Sequence, residues 1–265
     1  MHEITLNLNG QADDCTLALY LISNNEEVAP ERKRPVVIIC PGGGFNFLSF
    51  REAEPVAIKM LSYGYHAAVL YYSTEPAKFP TQLLQAMAAV NFLRENADEC
   101  NIDPDRICIM GFSAGGHVAA SLGVFWNKPY YSGLLGLEPQ DTMPNALCLG
   151  YPVITSGDYA HEGSIENIEG DNNRLSLSLE KQVSDETPPS FIFHTLYDDV
   201  VPIENSLLFA KALKIHGVPF EFHLFEEGPH GISLGNTEVY DYDSPDLGLP
   251  AAAWVDLFNS WFCRK

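Results

Sequence analysis

A serine, a pair of aspartates and a histidine in this 265-residue chain have the types and local settings that nucleophilic catalysis requires. Ser113 is the centre of a G-x-S-x-G pattern at residues 111–115. A serine hydroxyl is a weak nucleophile near neutral pH, so a histidine must take its proton and a carboxylate must orient and stabilise that histidine. The rest of the sequence therefore has to supply these two partners.

The setting of Ser113 is more informative than the five-residue pattern, which arises by chance in roughly one such chain in ten. The pattern follows an apolar segment at residues 106–110 and precedes a predicted helix at residues 114–124. A sharp strand-to-helix turn of this kind exposes the hydroxyl of a nucleophilic serine above the edge of a sheet. An ordinary turn with a helix-capping serine is the alternative interpretation.

His230 is the preferred base among the eight histidines. It lies in a turn-rich loop at residues 227–231, just beyond the last predicted strand, and open α/β sheets place their chemistry at the carboxyl ends of their strands. Three histidines have packing explanations because they lie in predicted strands or helices: His117, His194 and His223. His161 lies in a polar insertion.

The carboxylate comes from Asp198 or Asp199, which follow the preceding buried strand. Serine, aspartate and histidine then occur in the chain order of the α/β-hydrolase fold, and agreement among three separate segments is stronger than the serine pattern alone. Adjacent side chains diverge, so only one of the two aspartates is expected to reach His230. The alternative is that both are exposed loop residues of an acidic chain.

Three consecutive glycines at residues 42–44 follow the first buried strand and are candidates for an oxyanion hole. Acyl transfer needs backbone donors aimed at the developing negative charge, and removing one donor costs on the order of 3 kcal/mol. The amides of Gly43 and Gly44 can approach a substrate closely, and the amide of Ala114 completes the predicted set. Phosphate-loop, dinucleotide and metal-ligand spacings do not occur in the sequence, which predicts no cofactor and no metal.

The elements that must hold these residues alternate along the chain. Two segments of alternating polarity, residues 3–9 and 15–22, predict an antiparallel hairpin. Buried strands are predicted at residues 36–40, 66–72, 106–110, 146–153, 191–194 and 219–225, and helices at residues 52–63, 80–96, 114–124, 203–216 and 251–262. This alternation predicts an α/β fold with a mostly parallel central sheet and helices on both faces.

One polar stretch, residues 156–189, interrupts the alternation. A stretch of this length is either a flexible loop or a lid beside a pocket. Internal repeats and linker composition do not occur, so we expect one domain over residues 1–265.

The amino-acid composition of the chain limits the classes of molecule that it is expected to bind. Thirty-five acidic and 15 basic residues give a formal charge of −20, which disfavours phosphate backbones and anionic lipids. We therefore expect a small neutral substrate and neither nucleic acid nor a membrane. The N-terminal residues lack a signal-peptide pattern, and the six scattered cysteines indicate reduced core residues, which together predict a cytoplasmic protein. The oligomeric state stays open.

With these residues in place, the chain resembles the acetyl-esterase and xylan-esterase branch of the α/β hydrolases, near the hormone-sensitive-lipase-like esterases. The resemblance runs from about residue 34 to the C-terminus and rests on motifs at residues 41–45, 51–55, 111–115, 194–206 and 228–231. In that branch the carboxylate lies three residues before a Val-Pro pair, here Val201 and Pro202, which implies Asp198 rather than Asp199.

The resemblance implies a serine carboxylesterase that releases acetate from small esters, among them acetylated sugars and xylo-oligosaccharides. Pro41 stands where the broader lipase-like family has a histidine, so the ordering contacts of that histidine are absent. Backbone donors do not depend on that side chain, and the predicted oxyanion hole is retained. A serine peptidase of the prolyl-oligopeptidase type, a formamidase and a noncatalytic binding protein with a hydrolase fold are the alternatives.

Overall fold

The computed structural model describes residues 1–170 and 174–265, and an eight-stranded sheet forms its centre. The strands are β1 (His2–Leu6), β2 (Cys15–Tyr20), β3 (Arg34–Cys40), β4 (His66–Tyr71), β5 (Ile102–Phe112), β6 (Ala146–Gly150), β7 (Ser190–Thr195) and β8 (Phe220–Phe225). Their order is β1-β2-β4-β3-β5-β6-β7-β8, with antiparallel pairing at β1, β2 and β4 and parallel pairing from β4 to β8. The predicted fold class is confirmed.

Helices pack on both faces of this sheet. They are α1 (Glu54–Ser62), α2 (Thr81–Glu95), α3 (Ala114–Phe125), α4 (Pro129–Leu134), α5 (Pro139–Thr142), α6 (Glu162–Ile168), α7 (Glu204–Ile215) and α8 (Trp254–Phe262). Successive side chains of a strand point to opposite faces, and β3 shows the result. Val36 and Ile38 pack in the hydrophobic cluster that includes α2, α3 and α7, whereas Val37 and Ile39 pack in the cluster that includes α1 and α8.

The parallel arrangement brings the predicted site residues to one edge of the sheet. The glycines at residues 42–44 follow β3, Ser113 follows β5, Asp198 follows β7 and His230 follows β8. Because these four strands run parallel, their carboxyl ends meet at the same edge, where open α/β sheets bind their ligands.

Three short helices were not predicted from the sequence. Helices α4 and α5 contain six and four residues, too few for an apolar period to be visible, and each has a proline in its first turn. Helix α6 lies inside the polar stretch at residues 156–189, which also contains two short 3-10 helices; residues 171–173 of that stretch lie outside the described residues.

Some predicted boundaries also shift. Strand β6 ends at Gly150 rather than at residue 153, because Tyr151 has a φ of 36° that an extended strand does not allow. The helix predicted at residues 52–63 is a 3-10 turn at Phe50–Glu52 followed by α1.

His117 on α3 is a buried histidine whose protonation opposes folding. Its Nδ1 lies 3.3 Å from the carbonyl oxygen of Val153, and Nε2 has no hydrogen-bond partner among the described residues. Burial lowers the pKa of His117 from its ordinary value of 6.5 to about 4. The unfolded chain therefore binds a proton between these two values that the folded protein excludes.

We expect the free energy of unfolding to fall as the pH drops from 6.5 towards 4, with His117 contributing a loss of about 3 kcal/mol over that window. His117→Gln keeps a donor for Val153 but does not titrate, so its urea-unfolding curves should show a shallower pH dependence. The exposed His216→Gln is the matched control for loss of a histidine. An unchanged slope in His117→Gln would assign the acid sensitivity to other groups.

Candidate active site

Ser113 lies in the tight turn between β5 and α3. Its φ of 53° and ψ of −120° are strained for a residue with a side chain. A Cβ atom added to Gly111 would lie 2.0 Å from the carbonyl oxygen of Gly115, and one added to Gly115 would lie 2.0 Å from that of Cys40. The glycines of the G-x-S-x-G pattern are therefore required by the close packing of the strand and the helix.

Ser113, His230 and Asp198 form a continuous hydrogen-bonded row. His230 Nε2 lies 2.8 Å from Ser113 Oγ, and His230 Nδ1 lies 2.7 Å from Asp198 Oδ2. The Asp198 side chain has no solvent exposure, whereas that of His230 is 16% exposed. The structure thus brings together the three predicted side chains with the spacing of a nucleophile, a base and an orienting carboxylate.

The Asp198 carboxylate faces three donors besides His230. Its Oδ1 accepts the backbone N–H groups of Val200 and Val201 at 3.0 and 2.9 Å, and its Oδ2 lies 3.2 Å from His194 Nε2. Burial acts to raise the pKa of Asp198, but the hydrogen bonds from His194 and His230, the attraction of His230 and the Val201 N–H together hold that pKa well below its usual range. Asp198 is therefore a carboxylate at neutral pH and accepts the Nδ1–H of His230.

Packing alone does not explain His194, which contacts Asp198 from the end of β7. His194 Nε2 lies 3.2 Å from Asp198 Oδ2 and 3.1 Å from the carbonyl oxygen of Val201, which are both acceptors, so Nε2 carries the proton. His194 Nδ1 then accepts the hydroxyl of Ser206 at 2.8 Å. The available signal was a polar residue at the end of an apolar strand, four residues before a candidate carboxylate.

Asp199, the other candidate carboxylate, is exposed. None of the hydrogen bonds or ion pairs formed by the described residues uses its side chain. The geometry therefore separates the two neighbours and places only Asp198 beside His230.

The glycine loop after β3 faces the same cavity as Ser113. Gly43 and Gly44 have φ values of 125° and 62°, and a Cβ atom at Gly43 would lie 2.1 Å from the carbonyl oxygen of Phe47. The carbonyl of Gly43 accepts the N–H groups of Asn46 and Phe47, and the carbonyl of Gly44 accepts the side-chain amide of Asn167 at 2.8 Å. In the part of the chain that the structure describes, the amides of Gly43 and Gly44 make no hydrogen bond, nor does that of Ala114.

The cavity above Ser113 has a volume of about 250 Å³. In addition to the predicted residues, Glu52 and His161 line this cavity, and the sequence analysis did not assign either of them to the site. A larger groove of about 540 Å³ lies between β1, α2 and residues 133–137, and no predicted site residue lines it. The smaller cavity therefore holds the candidate chemistry.

Glu52 is a buried carboxyl group in the wall of this cavity. Its Oε2 accepts the backbone N–H of Gly42 at 2.8 Å, and its Oε1 accepts the hydroxyl of Tyr151 at 2.8 Å. The Tyr151 oxygen in turn accepts the backbone N–H of Ser233 at 3.1 Å. Burial raises the pKa of Glu52 despite these donors. Glu52 thus connects the glycine loop with the loop that carries His230.

Within residues 1–170 and 174–265, no three side chains of the metal-binding types are grouped so that they could hold a metal ion. The same residues include no helix with the length and apolar character needed to cross a membrane.

Family models and solved structures agree on the relationship of this chain. Residues 82–245 match the prolyl oligopeptidase family, and residues 19–142 match the BD-FAE family. An acetyl ester-xyloside bifunctional hydrolase from Caldicellulosiruptor lactoaceticus is 37% identical, with 94% of this chain and 88% of that chain covered and a TM-score of 0.80. The chain belongs to the α/β hydrolases. The predicted resemblance is confirmed.

Two further relatives extend the comparison of this α/β hydrolase. The carboxylesterase Cest-2923 from Lactobacillus plantarum WCFS1 is 30% identical, with 100% of this chain and 98% of that chain covered and a TM-score of 0.89. Endo-1,4-beta-xylanase B of Butyrivibrio fibrisolvens is 39% identical over 84% of this chain and 35% of its own length. This hydrolase spans about a third to a half of the length of the curated relatives it matches most strongly.

Proposed function

We propose that this α/β hydrolase is a serine carboxylesterase that removes short acyl groups, above all acetyl, from small neutral esters. The observation that carries the proposal is the row of hydrogen bonds from Asp198 through His230 to Ser113, at 2.7 and 2.8 Å. The similarity to a carboxylesterase and to an acetyl ester-xyloside hydrolase supports it.

Acylation begins when Ser113 Oγ attacks the ester carbonyl carbon while His230 Nε2 takes the hydroxyl proton. The negative charge of Asp198 stabilises the resulting imidazolium. The amides of Gly43, Gly44 and Ala114 donate to the oxygen of the tetrahedral intermediate. When the intermediate collapses, His230 gives its proton to the alcohol oxygen, and the acyl group stays on Ser113.

Deacylation repeats these steps with water as the nucleophile. His230 takes a proton from the water molecule as its oxygen attacks the acyl-enzyme carbonyl. The same backbone amides stabilise the second oxyanion, and its collapse releases the carboxylic acid and returns the proton to Ser113.

Acetylated sugars and xylo-oligosaccharides are the proposed physiological substrates. Asn46, Ser49 and His161 give the cavity polar walls suited to hydroxyl groups. The net charge of −20 favours a neutral substrate over an anionic one. Neither nucleic acid nor a membrane is expected as a partner, and a cytoplasmic location stays a prediction.

A peptidase is the second candidate, because residues 82–245 match the prolyl oligopeptidase family. Both activities would use the same groups, so the decisive comparison is turnover of 4-nitrophenyl acetate against aminoacyl 4-nitroanilides. We expect the ester to be the better substrate; a higher kcat/KM on the anilides would reverse the assignment. Labelling by a fluorophosphonate probe, absent in Ser113→Ala, would separate both enzymes from a noncatalytic binding protein.

The size of the cavity predicts a preference for short acyl chains. A volume of about 250 Å³ holds a short acyl group together with the part of the alcohol next to the ester bond. With 4-nitrophenol as the common leaving group, we expect kcat/KM to be highest for acetate, lower for butyrate and lower than acetate by at least about tenfold for octanoate. An octanoate preference would instead indicate a lipase-like acyl site.

A further inference from the structure

His161 belongs to the polar stretch at residues 156–189 and lines the same cavity as Ser113 and His230. It occupies the N-cap position of α6. The esterase mechanism gives it no role, because His230 already serves as the base. A second histidine beside a reacting serine therefore needs an explanation of its own.

The ring of His161 is held in one tautomer. The backbone N–H of Ser164 donates to His161 Nδ1 at 3.3 Å, and the Ser164 hydroxyl lies 2.8 Å from the same nitrogen. A ring nitrogen that accepts a hydrogen bond cannot carry the proton, so the neutral ring has its proton on Nε2. Among the described residues, none accepts a hydrogen bond from that Nε2–H.

The His161 ring is uncharged at neutral pH and can donate a hydrogen bond, because its pKa is lowered. Burial lowers the pKa of His161, repulsion from His230 lowers it further, and the attraction of Asp198 offsets part of the effect. A neutral N–H group binds hydroxyl and ether oxygens, which are the acceptors that polyhydroxylated alcohols present.

The segment that carries His161 is attached to the oxyanion loop. The side chain of Asn167, on α6, donates to the carbonyl oxygen of Gly44 at 2.8 Å. Lys78 Nζ donates to the carbonyl oxygens of Glu166 and Asn167, each at 3.0 Å. The position of the His161 ring is therefore defined relative to the reacting atoms.

The chemistry of an acetyl ester limits which part of it His161 can contact. The acetyl group offers one acceptor, the carbonyl oxygen, and the amides of Gly43, Gly44 and Ala114 already donate to that oxygen in the proposed mechanism. The methyl group accepts no hydrogen bond. An oxygen that accepts the Nε2–H of His161 in this cavity therefore belongs to the alcohol part of the substrate.

We propose that His161 is a specificity-determining residue whose Nε2–H donates a hydrogen bond to an oxygen next to the ester bond in the alcohol part. This contact selects esters of polyols and sugars over esters of simple alkanols. The proposal rests on the proposed esterase function. The vicinal hydroxyl of a sugar monoacetate supplies an oxygen at this position.

Two esters of nearly equal size test the proposal. 2-Hydroxyethyl acetate and propyl acetate share the acyl group, and only the first has an acceptor beside the ester bond. We expect the wild-type enzyme to prefer the hydroxy ester in kcat/KM by about fivefold to tenfold, the range of one neutral hydrogen bond. In His161→Ser this ratio should fall close to one.

The choice of serine separates substrate binding from helix capping. Serine is a favoured N-cap residue, so α6 can begin as before while the Nε2–H is lost from the cavity. His161→Gln, whose amide nitrogen can donate into the cavity, should keep part of the preference. The exposed His216→Ser is the matched control and should leave the ratio and both rates as in the wild type.

The outcomes are distinguishable. Equal losses on both esters in His161→Ser would leave the ratio unchanged and would overturn the proposal, as would a full preference retained without any loss. A wild-type enzyme that hydrolyses 4-nitrophenyl acetate but shows no preference would refute the role of His161 alone. Failure to hydrolyse any of the three esters would refute the esterase function and this proposal with it.

Discussion

Ser113→Ala is expected to lower kcat for acetyl esters by a factor on the order of 10⁶ while the protein stays folded. Without Oγ there is no atom to accept the acyl group, and His230 has no hydroxyl proton to take. The backbone amides stay in place, so a small residual acceleration over water is expected. The measurement is single-substrate kinetics with 4-nitrophenyl acetate on highly purified protein.

The loss is interpretable only if the fold is unchanged. Alanine differs from serine only by the missing hydroxyl group, so it fits the tight turn between β5 and α3. The close packing at Gly111 and Gly115 does not change. Ser121→Ala is the matched control, since this buried serine lies on α3 and its hydroxyl has no hydrogen-bond partner among the described residues. It should keep full activity. More than a few per cent of wild-type activity in folded Ser113→Ala would remove Ser113 from the mechanism.

The parts of the site that follow buried strands could be anticipated from the sequence. Ser113, Asp198 and His230 each lie in a loop just after an apolar strand, and parallel strands bring such loops to one edge of the sheet. Their relative positions follow from topology, and topology follows from the alternation of strands and helices. The choice of Asp198 over Asp199 came from the resemblance to known esterases.

Other contacts of the site depend on tertiary packing that no local pattern encodes. Glu52 belongs to a short 3-10 turn, and its role follows from hydrogen bonds to Gly42 and Tyr151. His161 comes from a stretch without apolar periodicity, and only the folded chain places it beside His230. His194 is a polar residue at the end of an apolar strand, and the sequence shows that it lies close to Asp198 along the chain but not that the two side chains are in contact.

Asp198→Asn should lower kcat by a factor on the order of 10⁴, because the amide removes the charge that stabilises the imidazolium. Asp198 Oδ2 also accepts the Nδ1–H of His230 at 2.7 Å, and an amide nitrogen in its place would favour the wrong tautomer. An amide nitrogen at the Oδ2 position meets the N–H groups of both histidines, and in the flipped orientation it meets those of Val200 and Val201, so either orientation leaves a conflict. The expected loss is in kcat rather than in KM.

The neighbouring residue supplies the control. Asp199 is exposed, and its replacement by asparagine makes the same change of charge one position along the chain, so Asp199→Asn should cost less than about tenfold. In Asp198→Asn an amide oxygen at the Oδ1 position can still accept the N–H groups of Val200 and Val201, so the loop after β7 can keep its conformation. Because the buried amide still faces N–H donors, we expect a lower melting temperature for Asp198→Asn than for Asp199→Asn, and the two rates are compared at a temperature where both variants are folded. If Asp199→Asn were the slower enzyme while both variants are folded, the orienting carboxylate would have to be reassigned to Asp199.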